Sequence, residues 1–171
     1  RLATQILLEI AEFVENETEI FIDERLIEAV GANLRLALDQ QKDVSYDKAM
    51  LANMLTLPTE AYLIDASSIA DVDAISQARQ ILKRKLALRF EDHFYDIFWQ
   101  NDLSGPYSPD GESIPSRQLK NLALQYLVST EKTEAIDICT RQLKTARNMT
   151  EESAALRELV FSGSARAKES K

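Results

Sequence analysis

The side chains that most often carry chemistry are scarce in this sequence: one histidine, His93, and one cysteine, Cys139, in 171 residues. A catalytic zinc in a helical protein usually wants two or three imidazoles plus a carboxylate, because neutral nitrogen ligands hold the metal and leave one position open to water. A lone imidazole falls short of that set. His93, beside Phe90 and Phe94 on the border of an apolar stripe, reads as a structural or partly exposed ring. Nucleophilic catalysis needs a base within reach of a serine or cysteine, and His93 is the sole conventional base; no spacing pairs it with Cys139 or any serine. Cys139 then reads as a small buried hydrophobe and the serines as helix caps. Gly105 and Gly111 sit among prolines and acids with no adjacent strand, the reverse of a phosphate-binding loop.

Two clusters remain. Lys83-Arg84-Lys85 with Arg89 either docks an anionic partner along a helix or is a solvated face, with Arg89 near Asp92 and Glu91 following; the second reading is preferred. Phe90, Phe94, Tyr95, Phe98 and Trp99 at helical spacing form core between two helices rather than a stacking patch, with Trp99 the most exposed of them. The expectation is therefore no catalytic residue, no metal site and no cofactor in this chain, with substrate-binding residues unassigned.

The elements behind these residues follow from composition and periodicity. With 45% hydrophobic residues the chain can bury one real core, and only four glycines and four prolines leave long stretches without the turn signals of a sandwich or barrel. A formal charge of −8 repels phosphate backbones and anionic lipid, so nucleic acid and membranes are excluded as partners. A single cysteine rules out an intrachain disulfide framework and fits a reducing, cytoplasmic setting. No stretch is apolar enough to span a bilayer, and Arg1 to Ile6 reads as amphipathic helix rather than signal peptide. The missing initiator Met leads us to expect a piece of a longer chain, truncated at both ends.

Ala3, Ile6, Leu7, Ile10 and Val14 share one face of a helix over about Leu2 to Glu15. Asp23 caps a second helix with the stripe Ile27, Val30, Leu34 and Leu38, in which Gly31 costs stability unless something packs closely on it. Ser45 caps a short helix that stops at Leu57-Pro58, and Thr59 caps another. One long helix runs from Asp71 to about Gln100 on the stripe Ile75, Ala78, Leu82, Leu86, Phe90, Phe94 and Ile97. Gly105-Pro106, Ser108-Pro109 and Asp110-Gly111 make residues 101–112 the one long loop. Helices from Ser113 to Val128, Thr133 to Arg147 and Thr150 to Phe161 follow, and Ser164 opens a further one after a break at Ser162-Gly163-Ser164. Short links imply antiparallel neighbours. The whole of 1–171 thus reads as a single all-α helical-repeat domain, antiparallel pairs stacked as a HEAT- or armadillo-like superhelix.

Three segments, in order, add a resemblance. They are Met54-Leu55-Thr56-Leu57-Pro58 with Asp71-x-x-Ala74-Ile75 and Arg79-x-x-Leu82-x-Arg84-x-Leu86-Ala87; Ile114-x-x-Arg117-x-Leu119-Lys120-Asn121-x-x-Leu124-x-Tyr126-Leu127; and Gln142-Leu143-x-x-Ala146-x-Asn148-Met149-Thr150 running into Ala154-Ala155-Leu156. Together they resemble the C-terminal helical domain of the bacterial aminopeptidase N family, over roughly Gln5 to Leu159. That resemblance implies a parent zinc metallopeptidase that removes N-terminal residues from peptides. Its zinc is held by a His-Glu-x-x-His helix and a distant Glu, and the free amine by a Gly-Ala-Met-Glu-Asn segment. Neither motif occurs in this chain, so no ligand or catalytic role transfers, zinc belongs to the parent only, and this segment is implied to be inactive. The partners implied are the catalytic domain of the same parent chain, whose chamber it caps, and the peptide substrates of the parent. The alternative reading is a free-standing helical-repeat adaptor that binds a partner protein on a concave surface.

Overall fold

In a computed structural model, residues 2–16, 20–38, 47–68, 70–103 and 107–169 are described, with side chains as far as Ser162. All regular structure among them is helical: α1 (Leu2–Glu15), α2 (Glu24–Leu38), α3 (Lys48–Leu55), α4 (Glu60–Ala66), α5 (Val72–Arg89), α6 (Glu91–Gln100), α7 (Ser113–Val128), α8 (Thr133–Thr145) and α9 (Met149–Glu169). The expected stripes face inward. Ile6, Leu7 and Ile10 of α1, Ile27, Val30 and Leu34 of α2, and Ile75, Ala78, Leu82 and Leu86 of α5 are all buried.

α7 lies at the centre, in contact with α3, α5, α6, α8 and α9. Leu119, Leu124, Tyr126 and Leu127 are almost wholly buried on it, and a leucine so placed contributes about 1.5–3 kcal/mol. Around this axis α1 packs on α5, α3 and α6 on α7, and α8 on α9. Sequence neighbours such as α6 with α7 and α8 with α9 pack together, while α1 with α5, α2 with α6 and α3 with α7 join helices four apart in the chain.

Three of the anticipated caps form. Thr59 Oγ1 accepts from Tyr62 N at 3.2 Å, Asp71 Oδ1 from Ala74 N at 2.9 Å, and Asp23 Oδ1 from Arg25 N at 2.8 Å. The cap of α3 is Asp47, whose Oδ1 accepts from Ala49 N and Met50 N; Ser45, expected in that role, lies outside the described residues, as does Gly105-Pro106. Asp110 feeds the chain into α7. Its carboxylate accepts from Ser113 N at 2.6 Å, Glu112 N at 2.9 Å and Ser113 Oγ at 3.0 Å. Hydrogen bonds from the Ser108 hydroxyl first, then from Ser113 and Glu112, hold that carboxyl well below the usual range.

Two expectations are corrected. The single long helix from Asp71 to Gln100 is two helices, broken at Phe90, where φ is −123° and ψ is 29°. No proline or glycine marks the break, and its cause is tertiary: α5 packs mainly on α1 and α4 and less on α7, whereas α6 packs mainly on α7 and α2. The Phe90 ring seats at Gly31, where a β-carbon would meet Phe90 Cε1 and Cζ at 2.9 Å. The glycine in the middle of α2 is thus the close approach that its cost demands. The second correction concerns residues 162–164, which do not end a helix; α9 continues to Glu169. A helical glycine costs only about 1 kcal/mol, and the strong helix formers after it carry the helix through.

Gly31→Ala sets a gain of about 0.5–1 kcal/mol in helix propensity against an overpacking cost of about 1–3 kcal/mol, so net destabilisation near 1 kcal/mol is expected by urea unfolding. In a Phe90→Ala background the same substitution should stabilise. Destabilisation by a similar amount in both backgrounds would separate Gly31 from the Phe90 ring.

Candidate functional site

The densest polar cluster sits where α7 meets the α8–α9 turn. Arg117, Lys120 and Asn121, at three- and four-residue spacing, share one face of α7, and all three are buried. Lys120 Nζ donates to Asp102 Oδ1 and Glu151 Oε1, both at 2.8 Å, and lies 5.5 Å from the centre of the Phe98 ring. Glu151 is itself buried, and its other oxygen accepts from Asn148 Nδ2 at 2.9 Å while its N–H donates to Asn148 Oδ1 at 3.0 Å. Asn148 and Glu151 therefore cap the start of α9 reciprocally, in the manner of a capping box.

Beside this pair, Gln142 Nε2 donates to Asn121 Oδ1 at 2.9 Å and to the Glu151 carbonyl at 3.1 Å. Asn121 Nδ2 reaches the Thr150 carbonyl at 3.5 Å. Gln142 Oε1, also buried, has no hydrogen-bond partner among the described residues. Arg117 turns the other way, donating to the Ser108 carbonyl at 2.8 Å with its guanidinium 4.9 Å from the Tyr107 ring centre. These bonds fasten the chain after α6, α7 and the α8–α9 turn to one another. The lysine and the two carboxylates spend their charges on each other, an arrangement that fixes geometry.

A second set of ties holds the chain between α3 and α4. Tyr126 Oη donates to the Leu55 carbonyl at 2.7 Å while its ring stacks on Phe94 at 4.4 Å. Burial pushes that phenol above its usual range. Arg79 Nε donates to the Pro58 carbonyl at 2.6 Å, and Arg79 pairs with Glu60 at 3.7 Å.

On the surface, Trp99, 47% exposed, lines an open groove of about 620 Å³ with Glu134, Asp137, Ile138 and Arg141, whose guanidinium lies 5.0 Å from the indole centre. A second groove, about 510 Å³, runs between α1 and the start of α5 past Glu9, Glu12 and Asp71. Among the described residues, no three His, Cys, Asp or Glu side chains converge to hold a metal ion.

With this geometry in view, the comparisons with known proteins are informative. Residues 1–170 match a family described as a domain of unknown function (DUF3458_C) with ARM repeats. The chain belongs to this ARM-repeat family. Curated relatives include aminopeptidase N of Escherichia coli (strain K12), 34% identical over 114 residues, and aminopeptidase N of Caulobacter vibrioides, 26% identical over 141 residues. Those stretches are 67% and 82% of this chain but 13% and 16% of the relatives, so the ARM-repeat chain spans a small part of their length. Among solved structures, Legionella pneumophila aminopeptidase A in complex with aspartic acid has a TM-score of 0.72 at 23% identity, over 92% of this chain and 19% of that one. That likeness establishes the shared fold.

Within the ARM-repeat frame, the residues first considered for chemistry disperse. His93 lies half-buried on α6, edge-on to Phe90 at 5.9 Å. Cys139 is buried on α8 and its thiol donates to the Ala155 carbonyl at 3.4 Å. The basic run divides. Lys83 pairs with Glu158 of α9 at 3.5 Å, its pKa lowered by burial, and Arg84 bonds Glu131 at 3.0 Å, while Lys85 and Arg89 are exposed. The aromatic series is core at Phe94 and Phe98, with Trp99 exposed, as its periodicity implied.

Sequence reasoning passed over the buried polar cluster, although Arg117, Lys120, Asn121, Gln142 and Asn148 all stood in the quoted segments. The available signal was polar residues within stretches otherwise apolar on every face, which is where an interior helix hides its hydrogen bonds.

The Cys139 thiol gives a pH test. Burial, with the nearby Glu158 charge adding to it, pushes it up to about 12 from 9.0. Between those values the unfolded chain releases a proton that the folded chain keeps, so stability falls as pH rises, by about 1.4 kcal/mol per unit at most. Cys139→Ala should unfold along a flatter curve between pH 9 and the upper alkaline limit, with wild type and variant parallel below pH 8. Parallel curves throughout the alkaline range would show that the thiol ionises equally in both states.

Proposed function

We propose that this chain is the non-catalytic helical C-terminal segment of a zinc-dependent aminopeptidase, an enzyme that removes N-terminal residues from peptides. The observation that carries the reading is the 34% identity to Escherichia coli aminopeptidase N within a chain that belongs, over residues 1–170, to one ARM-repeat family. In this reading residues 1–171 are one helical-repeat domain of a longer polypeptide, with 101–112 as its long loop. The segment packs with the catalytic domain of that polypeptide and narrows the way into its chamber, so that small or unfolded peptides reach the metal and folded proteins do not. Its setting is the cytoplasm.

Zinc supplies the water-activating chemistry of such an enzyme, and the residues of this chain do not fit it. Among the described residues, His93 lies against Phe90, the Cys139 thiol is buried on a carbonyl, and the two buried carboxylates are spent on cations, Glu151 on Lys120 and Glu158 on Lys83. What this chain supplies is rigidity. A wall that screens substrates by size must not breathe, and the Lys120–Glu151 and Tyr126–Leu55 ties hold α9 and α3 against α7. The charge of −8 further favours peptide over nucleic acid as cargo.

The test compares this chain with the longer polypeptide that carries it. Purified alone, the chain should release no chromophore from leucine p-nitroanilide and retain far less than one equivalent of zinc. The longer polypeptide should do both and lose turnover on chelation. Turnover by the chain alone that survives a metal-free preparation would overturn the assignment, and so would an inactive, zinc-free longer polypeptide, which would favour a protein-binding adaptor.

A further inference from the structure

α6 and α8 both pack on α7, and the seam between them is left as the open groove that Trp99 lines. Its walls are tied at both ends. Lys132, just before α8, pairs with Glu91 in the first turn of α6, and Arg141 stacks its guanidinium on the Trp99 indole. Between these ties the Tyr95 hydroxyl, buried near Glu134, has no hydrogen-bond partner among the described residues. At about 100° per residue, Glu134, Asp137, Ile138 and Arg141 share an arc of about 100° on α8. Ile138 is the buried, apolar floor of the groove, and Glu134 and Asp137 are exposed on its wall. Asp92 and Asp96, also exposed, fall within about 60° of Trp99 on α6.

An exposed indole over an apolar floor, rimmed by charge of one sign, is suited to a long cationic side chain. The aliphatic stem lies on the apolar surface while the charged head stays with the carboxylates. Four carboxylates, Asp92, Asp96, Glu134 and Asp137, border this groove against one guanidinium, and none of the four is in an ion pair among the described residues. Arg141 shows in place that the indole accepts a cation. We infer that the α6–α8 groove binds an extended basic peptide, with Trp99 and Ile138 taking the stem of a lysine or arginine and Glu134 and Asp137 meeting its charge. From Glu134 to Arg141 the α8 wall is about 10 Å long, the reach of about three extended residues. In an extended chain alternate side chains point the same way, so the fitting sequence is basic, apolar, basic. Charge complementarity selects this occupant over an acidic peptide, a nucleic acid or an anionic lipid.

The choice of a free peptide as occupant rests on the reading of this chain as the wall of a peptidase, and its test is separable from enzymatic activity. Trp99 is the single tryptophan of the chain, so its emission reports on the groove directly. The chain is titrated at low salt with acetyl-Lys-Leu-Lys-amide and with acetyl-Glu-Leu-Glu-amide, whose blocked ends leave only the side chains to differ. The basic peptide should change the Trp99 emission saturably, and Glu134→Gln with Asp137→Asn should weaken its binding about tenfold. An equal response to the acidic peptide, no saturable response, or undiminished affinity in the double variant overturns the proposal. Dansyl-Lys-Leu-Lys-amide, followed by anisotropy, extends the test to the longer polypeptide. Binding there too is expected; binding by the short chain alone overturns the proposal in favour of a groove covered by another segment of the same polypeptide. Binding by a longer polypeptide without peptidase activity would sustain the groove while refuting the enzymatic reading, and an active peptidase that ignores both basic peptides would do the reverse.

Discussion

An ammonium group buried between helices has to be met by carboxylate, and the arrangement around α7 follows from how Lys120 is met. Its Nζ is shared between Asp102, at the end of α6, and Glu151, in the first turn of α9. Moving either charge into a dry interior without its counterpart would cost several kcal/mol, so the pair constrains the positions of both elements. Glu151 also forms the reciprocal cap with Asn148, and Gln142 ties α8 to the same turn through the Glu151 carbonyl. Lys120 therefore ties the start of α9 to α7, and Gln142 ties α8 to the same turn. Burying such a pair is a poor way to gain stability over an apolar core and a good way to choose one register among several.

That choice of register bears on function. Repeat arrays are held by nearest-neighbour contacts and bend easily if those contacts are merely greasy. Directional ties such as Lys120–Glu151, Tyr126 to the Leu55 carbonyl and Arg79 to the Pro58 carbonyl convert a flexible stack into a surface of defined shape. The same logic bears on the chemical quietness of the interior: its buried charges are paired, and its one thiol is pushed out of the reactive range.

Much of this was legible from periodicity and capping residues. The apolar stripes read on α1, α2, α5 and α6 face the core, and Thr59, Asp71 and Asp23 cap where their side chains can reach free N–H groups. What periodicity missed was tertiary in origin. The break at Phe90 has no local breaker and arises because the two halves answer to different neighbours, with the ring seated on Gly31. The glycine at 163 was read as a stop because its local cost is real, although it is small beside a turn of strong helix formers. The Lys120 cluster was invisible as a site because its carboxylates lie 18 and 31 residues from Lys120, and nothing in the spacing of Asp102, Lys120 and Glu151 announces that they meet.

The most direct test of the account is the relative cost of removing the two carboxylates that meet Lys120. Glu151 is buried, with a side-chain exposure of 12%, whereas Asp102 is at 45% and can be replaced by water. Urea unfolding of Glu151→Ala should therefore show a loss of about 3–5 kcal/mol, and Asp102→Ala a loss of at most about 1 kcal/mol. Equal losses, or a loss below about 1 kcal/mol for Glu151→Ala, would mean that the junction does not depend on the buried pair and that the fold is held by apolar packing alone.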